Sequence, residues 1–311
     1  MSNIMDGRRL ADEIREGVKK DVEALNKIGI DVGLALLLVG DNPASRQYFL
    51  ATLKSCRRVG ISIYEYKLPA TTSVNEILNV VNSINRDERI HGLLVLFPLP
   101  ARINARRVVD AISPEKDIDG LGSISVGRLA AEESMFQIFK YNNKASAEAG
   151  YMPTVSSFLP CTPFGVIRLL EFYGVDIKGK HAVVVSKSLA VGKPLSIMLL
   201  AKEATVTVCH RETRDLGHFT RRADILCSAT GARGLIKEDM VKEGAVVVDI
   251  GIRVLDDGSI TGDVEFNSVA KKASLITPVP GGVGPVTMSM LLENTVKSAR
   301  RNEWMKSPFI I

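Results

Sequence analysis

Apolar residues run without interruption over residues 34–39, 93–97 and 245–248, and the intervals between such runs show apolar positions at helical spacing. Continuous Val, Leu and Ile runs separated by amphipathic helices predict strands buried on both faces, the pattern of a parallel sheet covered by crossover helices. In the first half the pattern predicts helices over 6–27, 43–58 and 74–85 and strands over 33–39, 61–68 and 92–97. A second α/β unit follows, with a helix over 163–173, a strand over 181–185, a helix over 191–204 and a strand over 205–209. Later strands are expected near 225–229 and 245–250, and a last helix over 286–302 returns to the first domain. Between 130 and 157 the periodicity is weak, which suits a lid, an oligomer contact or a mobile excursion. The fold class is therefore α/β: two domains with parallel sheets, the second Rossmann-like in its alternation of strands and helices. The boundaries are 1–160, completed by 286–311, and 161–285.

Composition narrows the function. With 311 residues, 46% hydrophobic and 24% charged, the chain suits two soluble domains, and no apolar run approaches the roughly 18 residues of a membrane helix. The polar amino terminus leads straight into an amphipathic helix, so a cytoplasmic protein without membrane association is expected. Cys56, Cys161, Cys209 and Cys227 are widely spaced and only four histidines accompany them, which predicts reduced thiols and no metal site. The net charge of +5 comes from interspersed acids and bases, with no basic stripe bearing aromatics; this describes a solvated surface that attracts phosphorylated small molecules, not nucleic acid.

Candidate chemistry begins at 182–194, where a Val-rich run leads through Ser186-Lys187-Ser188 into a helix start at Gly192-Lys193-Pro194. Backbone N–H groups at such a start favour a phosphate, and Ser186, Lys187 and Ser188 add donors. A plain strand-to-helix turn is the alternative, since the glycine fingerprint of dinucleotide sites is absent. After the next strand a site selective for NAD usually places a carboxylate; here Cys209-His210-Arg211 follows, and Arg211 with Lys187 suits a 2′-phosphate, so NADP is expected ahead of NAD. Near the carboxy end, Thr277-Pro278-Val279-Pro280-Gly281-Gly282-Val283-Gly284-Pro285-Val286-Thr287 is rigid and bare of side chains, and reads as a wall against a flat ligand or as a turn-rich connector.

That run resembles a signature of the methylenetetrahydrofolate dehydrogenase/cyclohydrolase family, as do Gly40-Asp41-Asn42-Pro43-Ala44-Ser45, Lys116-Asp117-Ile118-Asp119-Gly120 and Pro160-Cys161-Thr162-Pro163-Phe164-Gly165. Asp249-Ile250-Gly251-Ile252 and Gly262-Asp263-Val264 are similar to further family motifs, and the resemblance covers nearly the whole chain. It implies a homodimer acting on tetrahydrofolate derivatives, with folate held mainly by the first domain and nicotinamide presented by the second. It implies Tyr48, Asp119, Pro280, Gly281 and Gly282 as substrate-binding residues. The cofactor-binding residues it implies are Ser186, Lys187, Ser188, Arg211, Thr230, Gly231, Ile252 and Thr287.

Ser186-Lys187-Ser188 stands where the family usually has Gly-Arg-Ser, altered at Ser186, and two positions of the substrate half also depart from the family pattern. Thr52 stands where the family has a lysine four residues after Tyr48, and Leu96 stands where it has the glutamine that bonds that lysine. Lys54 is two residues farther along the helix, about 200° away from the face of Tyr48 and Thr52. Hydride transfer needs orientation but no general base, whereas hydrolysis of a methenyl product needs proton movement that a tuned lysine serves. The sequence therefore predicts a dehydrogenase oxidising 5,10-methylenetetrahydrofolate, with Thr52, Leu96 and Asp119 at the catalytic positions and cyclohydrolase activity lost or weak. The alternatives are a fully bifunctional dehydrogenase/cyclohydrolase and a catalytically silent binding paralogue.

Overall fold

The computed structural model describes residues 4–131, 157–255 and 257–306, with backbone alone over 302–306. The weakly periodic segment over 130–157 falls almost wholly outside these residues. The described residues divide into two compact units.

The first unit comprises residues 12–128, 157–161 and 288–306. It begins within α1 (Gly7–Lys27) and continues through β1 (Gly33–Val39), α2 (Pro43–Val59), β2 (Ser62–Leu68), α3 (Val74–Arg86), β3 (Gly92–Val95), α4 (Ala105–Asp110) and most of α5 (Ser123–Ala131). The three strands are parallel in the order β2-β1-β3, with Leu36 opposite Glu65 on one side and Leu94 on the other. Every residue of the central β1 and of β3 is buried, as their uninterrupted apolar runs require, while the edge strand β2 is only partly covered. Ile77, Val81 and Ile84, one face of α3, close the core against Ala35, Leu37 and Leu93. β3 stops two residues short of the predicted end: Leu96 still donates its N–H to the Leu37 carbonyl at 2.9 Å, but Pro98 then has no N–H to continue the ladder.

The second unit comprises residues 4–11, 129–131 and the described part of 162–287. After α6 (Cys161–Phe172) come β4 (His181–Val185), α7 (Gly192–Ala201), β5 (Thr205–Cys209), the short α8 (Leu216–Thr220), β6 (Ile225–Ser228) and β7 (Val246–Asp249). A hairpin of β8 (Arg253–Val254) and β9 (Ile260–Thr261), the short α9 (Phe266–Val269) and β10 (Leu275–Ile276) complete it, and α10 (Val283–Lys306) leaves it. Five strands form one parallel sheet in the order β10-β7-β6-β4-β5. Counting only these strands, the order is 2-1-3-4-5 read from β5, the doubly wound arrangement whose topological switch point lies between β4 and β6. Val183, Leu226 and Val247 on the inner strands form its core with Ile236 and Ile276.

α7 is shorter than its sequence pattern, ending at Ala201, where Glu203 adopts a left-handed φ of 63° to turn the chain into β5. α10 starts at Val283, three residues before the predicted start, because Pro285 is tolerated in a first turn where N–H groups have no helical partner. The two-residue strands and the four- to six-residue helices have no counterpart in the sequence pattern: they are too short to show a period.

Candidate active site

In a doubly wound sheet ligands gather beyond the carboxyl ends of the strands at the switch point. In the first unit that point lies between β1 and β3. Beyond β1, Asn42 caps α2 by accepting from the Ala44 and Ser45 N–H groups at 3.0 and 3.3 Å, with Pro43 at the first helical position. The cap fixes the first turns of α2, and Tyr48 stands there half-buried. One turn on, Thr52 is fully buried and its hydroxyl donates to the Tyr48 carbonyl at 2.8 Å. Beyond β3, Leu96 is fully buried as well. Lys54 is exposed on the opposite side of α2, as the helical rotation requires.

The Lys116-Asp117-Ile118-Asp119-Gly120 loop sorts its ionisable groups. Lys116 is buried and donates to the Ile84 and Asp87 carbonyls, each at 2.7 Å, tying the loop to the end of α3. Asp117 is buried and accepts from the Leu121 and Gly122 N–H groups and the Ser125 hydroxyl, at 3.2, 2.8 and 2.6 Å. Asp119 is half-buried, less covered than Lys116 and Asp117. Gly120 has φ 69°, and a Cβ there would lie 2.6 Å from the Phe158 carbonyl oxygen, so turn and close approach both demand glycine. Burial and the neighbouring Asp117 charge push the Asp119 carboxyl up to about 7, opposed by a hydrogen bond with Cys161. Burial and the Asp119 charge hold the Tyr48 hydroxyl well above its ordinary range. Tyr48, Asp119 and Cys161 thus form one electrostatic cluster.

In the second unit the switch-point loops follow β4 and β6. Ser186 is buried and donates its hydroxyl to Ser188 Oγ at 3.2 Å; Ser188 Oγ in turn accepts the Val191 and Gly192 N–H groups at 3.2 and 3.1 Å. Both serine hydroxyls therefore shape the turn from within, while Lys187 is exposed. Gly192 permits the approach, since a Cβ there would meet the Ser186 carbonyl oxygen at 2.2 Å. Arg211, past β5, is exposed and paired with Glu212 at 3.0 Å. Thr230 and Ile252 are exposed beyond β6 and β7, Gly231 turns with φ 72°, and Thr287 bonds Thr162 through the two hydroxyls at 3.3 Å.

Two carboxylates that the sequence reading left without a role underlie these loops. Asp263 Oδ2 accepts from the Ser228 hydroxyl and from both the N–H and the hydroxyl of Thr230, at 2.7, 2.7 and 2.9 Å. Asp249 accepts from the N–H groups of Gly251, Asp263 and Val264 at 3.0, 3.0 and 2.9 Å. A Cβ on Gly251 would lie 2.0 Å from Asp263 Oδ1, and a Cβ on Gly262 would lie 2.0 Å from Asp249 Oδ2. Each carboxylate thus occupies the space left by the other segment's glycine. Burial pushes Asp249 up to about 6, with its three backbone donors opposing and the Asp263 charge adding to it. The recurrence of an Asp within two residues of a Gly in both motifs was the sequence signal for this pairing.

The Gly/Pro run lies in the same unit. Gly281 has φ 117° and its carbonyl accepts the Gly7 N–H at 2.9 Å, Gly282 N–H closes onto the Pro278 carbonyl at 2.8 Å, and Pro280 is exposed. Gly281 and Gly282 are buried, so of the three substrate-binding candidates in the run only Pro280 is exposed.

Residues 5–119 match the tetrahydrofolate dehydrogenase/cyclohydrolase catalytic domain, and residues 160–303 match the NAD(P)-binding domain of the same family. The chain is 47% identical over 300 residues to the bifunctional protein FolD of Moorella thermoacetica, covering 96% of this chain and 99% of that one. The bifunctional FolD of Campylobacter jejuni has a similar structure, with a TM-score of 0.86 at 44% identity over 96% of this chain and 99% of that one. The Trypanosoma brucei dehydrogenase-cyclohydrolase, solved with NADP cofactor and an inhibitor, gives a TM-score of 0.85 at 33% identity and 98% coverage of both chains. Domain matches that span both units, with similarity along nearly the full length, show that the chain belongs to the tetrahydrofolate dehydrogenase/cyclohydrolase family.

Proposed function

We propose that this chain oxidises 5,10-methylenetetrahydrofolate with NADP and, like the relatives named bifunctional, hydrolyses the methenyl product to 10-formyltetrahydrofolate. The observation that carries the folate reading is Asp119, the least buried ionisable residue of its loop, whose charge acts on Tyr48 at the switch point of the first unit. The first unit is the folate-binding domain. The 161–285 segment is the dinucleotide domain, and its residues fit such a cofactor: two turns at the switch point, one with a glycine where a Cβ would collide, and Arg211 free to reach a 2′-phosphate by leaving Glu212. Bound nicotinamide supplies the hydride acceptor. Tyr48 and Asp119 bind and orient the folate, Pro280 offers a rigid surface to the flat ring, and Thr230 and Ile252 border the nicotinamide half.

A dehydrogenase with little or no cyclohydrolase activity is a second reading. The similarity to enzymes named bifunctional speaks for the first, and the expectation of loss draws no support from it. What favours the second is local: the Thr52 hydroxyl is held by its own helix, Leu96 is apolar, and Lys54 is exposed on the far side of α2. A paired assay on one preparation decides between them. Reduction of NADP and of NAD with methylenetetrahydrofolate is followed beside decay of methenyltetrahydrofolate above its spontaneous rate. Turnover in both assays supports the bifunctional reading, dehydrogenation alone supports the second, and turnover in neither sinks both and returns the silent paralogue. A cytoplasmic homodimer completes the proposal; among the described residues no helix is long and apolar enough to cross a membrane.

A further inference from the structure

Two buried side chains with no role so far converge on the loop that carries Asp119. Asn294, on α10, donates from Nδ2 to the Ile118 carbonyl at 2.8 Å and to Cys161 Sγ at 3.4 Å. Cys161, at the start of α6, donates from Sγ to the Ile118 carbonyl at 3.2 Å, and its thiol acts on the Asp119 carboxyl to favour the ionised form. The Cys161 N–H donates to the Asp119 carbonyl at 3.3 Å. The Ile118 and Asp119 carbonyls are thus gripped by residues 42 or more positions away in the chain, while Asp119 itself stays half-buried and within electrostatic reach of Tyr48.

We propose that Asn294 and Cys161 are positioning residues that hold the Asp119 carboxylate as the acceptor for the paired N–H groups on the pyrimidine edge of a reduced pterin. The inference rests on the reading of Asp119 as the folate anchor. A ring N–H beside an exocyclic amine presents two parallel donors, and an ionised carboxylate accepts both. A protonated one turns a donor toward a donor. The groups facing Asp119 are Asp117 on its own loop, Tyr48 from α2 and Cys161 from α6; Lys116 is turned away onto the Ile84 and Asp87 carbonyls. Burial and Asp117 favour the protonated carboxyl, and the Cys161 thiol favours the ionised one, so removing the thiol matters most near neutral pH.

The test is the pH dependence of dehydrogenase kinetics in the full-length chain, for Cys161→Ala, Cys161→Ser, Asn294→Leu, Asn294→Asp and Asp119→Asn. Cys161→Ala should raise the KM for methylenetetrahydrofolate about tenfold near neutrality, leave kcat within about twofold, and move the acid limb of kcat/KM to higher pH. Cys161→Ser, which keeps a donor, should restore both, and Asn294→Leu should move the limb in the same direction as Cys161→Ala. A purely structural role would lower Tm or the active fraction without moving the limb. Wild-type KM and limb in Cys161→Ala and Asn294→Leu, alongside a raised KM in Asp119→Asn, overturn the proposal but keep the anchor. An unchanged KM in Asp119→Asn removes the anchor, and the proposal with it. Calorimetric titration with tetrahydrofolate reads the same arms if turnover is slow, and Asn294→Asp replaces Asn294→Leu if the latter does not fold.

Discussion

Lys116, Asp117 and Asp119 stand within four consecutive residues and meet three different fates, and only the last is not fully buried. Asp119 carries a consequence for stability. Its folded pKa of about 7 lies above that of an unfolded aspartate, so folding takes up a proton between about pH 4 and 7, and the carboxyl's contribution to stability falls as pH rises through that window. Asp119→Asn should flatten this slope and raise stability at pH 8 by on the order of 2 kcal/mol, read from chemical denaturation at several pH values. Thr52 and Leu96 lend themselves to a gain-of-function test. If the second reading holds, Thr52→Lys with Leu96→Gln should accelerate methenyltetrahydrofolate decay by about 10²-fold, at some loss of stability because position 52 is fully buried. If the enzyme is bifunctional as it stands, the double variant changes that rate little. The two substitutions were legible from the sequence through the resemblance; that the Thr52 hydroxyl is bonded within its own helix was not, because threonine can also turn its hydroxyl outward.

At the scale of elements, the strand ends beyond β6 and β7 depend on the reciprocal fit of Asp249 with Gly262 and of Asp263 with Gly251. Gly262→Ala places a methyl group on a buried carboxylate and should cost about 2–3 kcal/mol, seen as a lower Tm. Because Thr230 hangs from Asp263, the same variant should raise the KM for the dinucleotide more than that for folate. Past β5, Arg211 is exposed and pairs with Glu212. Arg211→Ala should raise the KM for NADP about tenfold and leave that for NAD unchanged, and equal effects on both would remove Arg211 from the 2′-phosphate. The long strands and helices were legible because their periods repeat several times; β8, β9 and β10 were not, since two residues carry no period.

At the scale of the whole molecule, each of the two units has a parallel sheet with its own switch point. Sedimentation of the purified chain should give twice the monomer mass, and a monomer with full dehydrogenase activity would refute the proposed dimer. Chain order and unit membership do not coincide: residues 4–11 pack with the second unit, and α10 from Met288 onward packs with the first. The return of the last helix to the first domain was expected from its position after the Gly/Pro run. The placement of residues 4–11 was not: it depends on the Met5 and Gly7 N–H groups meeting the Ile276 and Gly281 carbonyls, pairings more than 270 residues apart in the chain.

The sequence by itself determined the fold class, the parallel sheets and the family, because apolar runs of four or more residues and motifs with fixed internal spacing are local properties of the chain. It also marked Tyr48, Thr52, Leu96 and Asp119 as the positions to weigh. Only the tertiary structure decided which members of a motif face outward. Lys116 and Asp117 turn inward and Asp119 does not, Ser186 and Ser188 bond each other, and Asn294 reaches Cys161 and Ile118 from the far end of the chain. The reason is physical: a buried polar group must find a partner wherever the fold brings one, and such a pairing, near or far along the chain, leaves no periodic trace in the sequence.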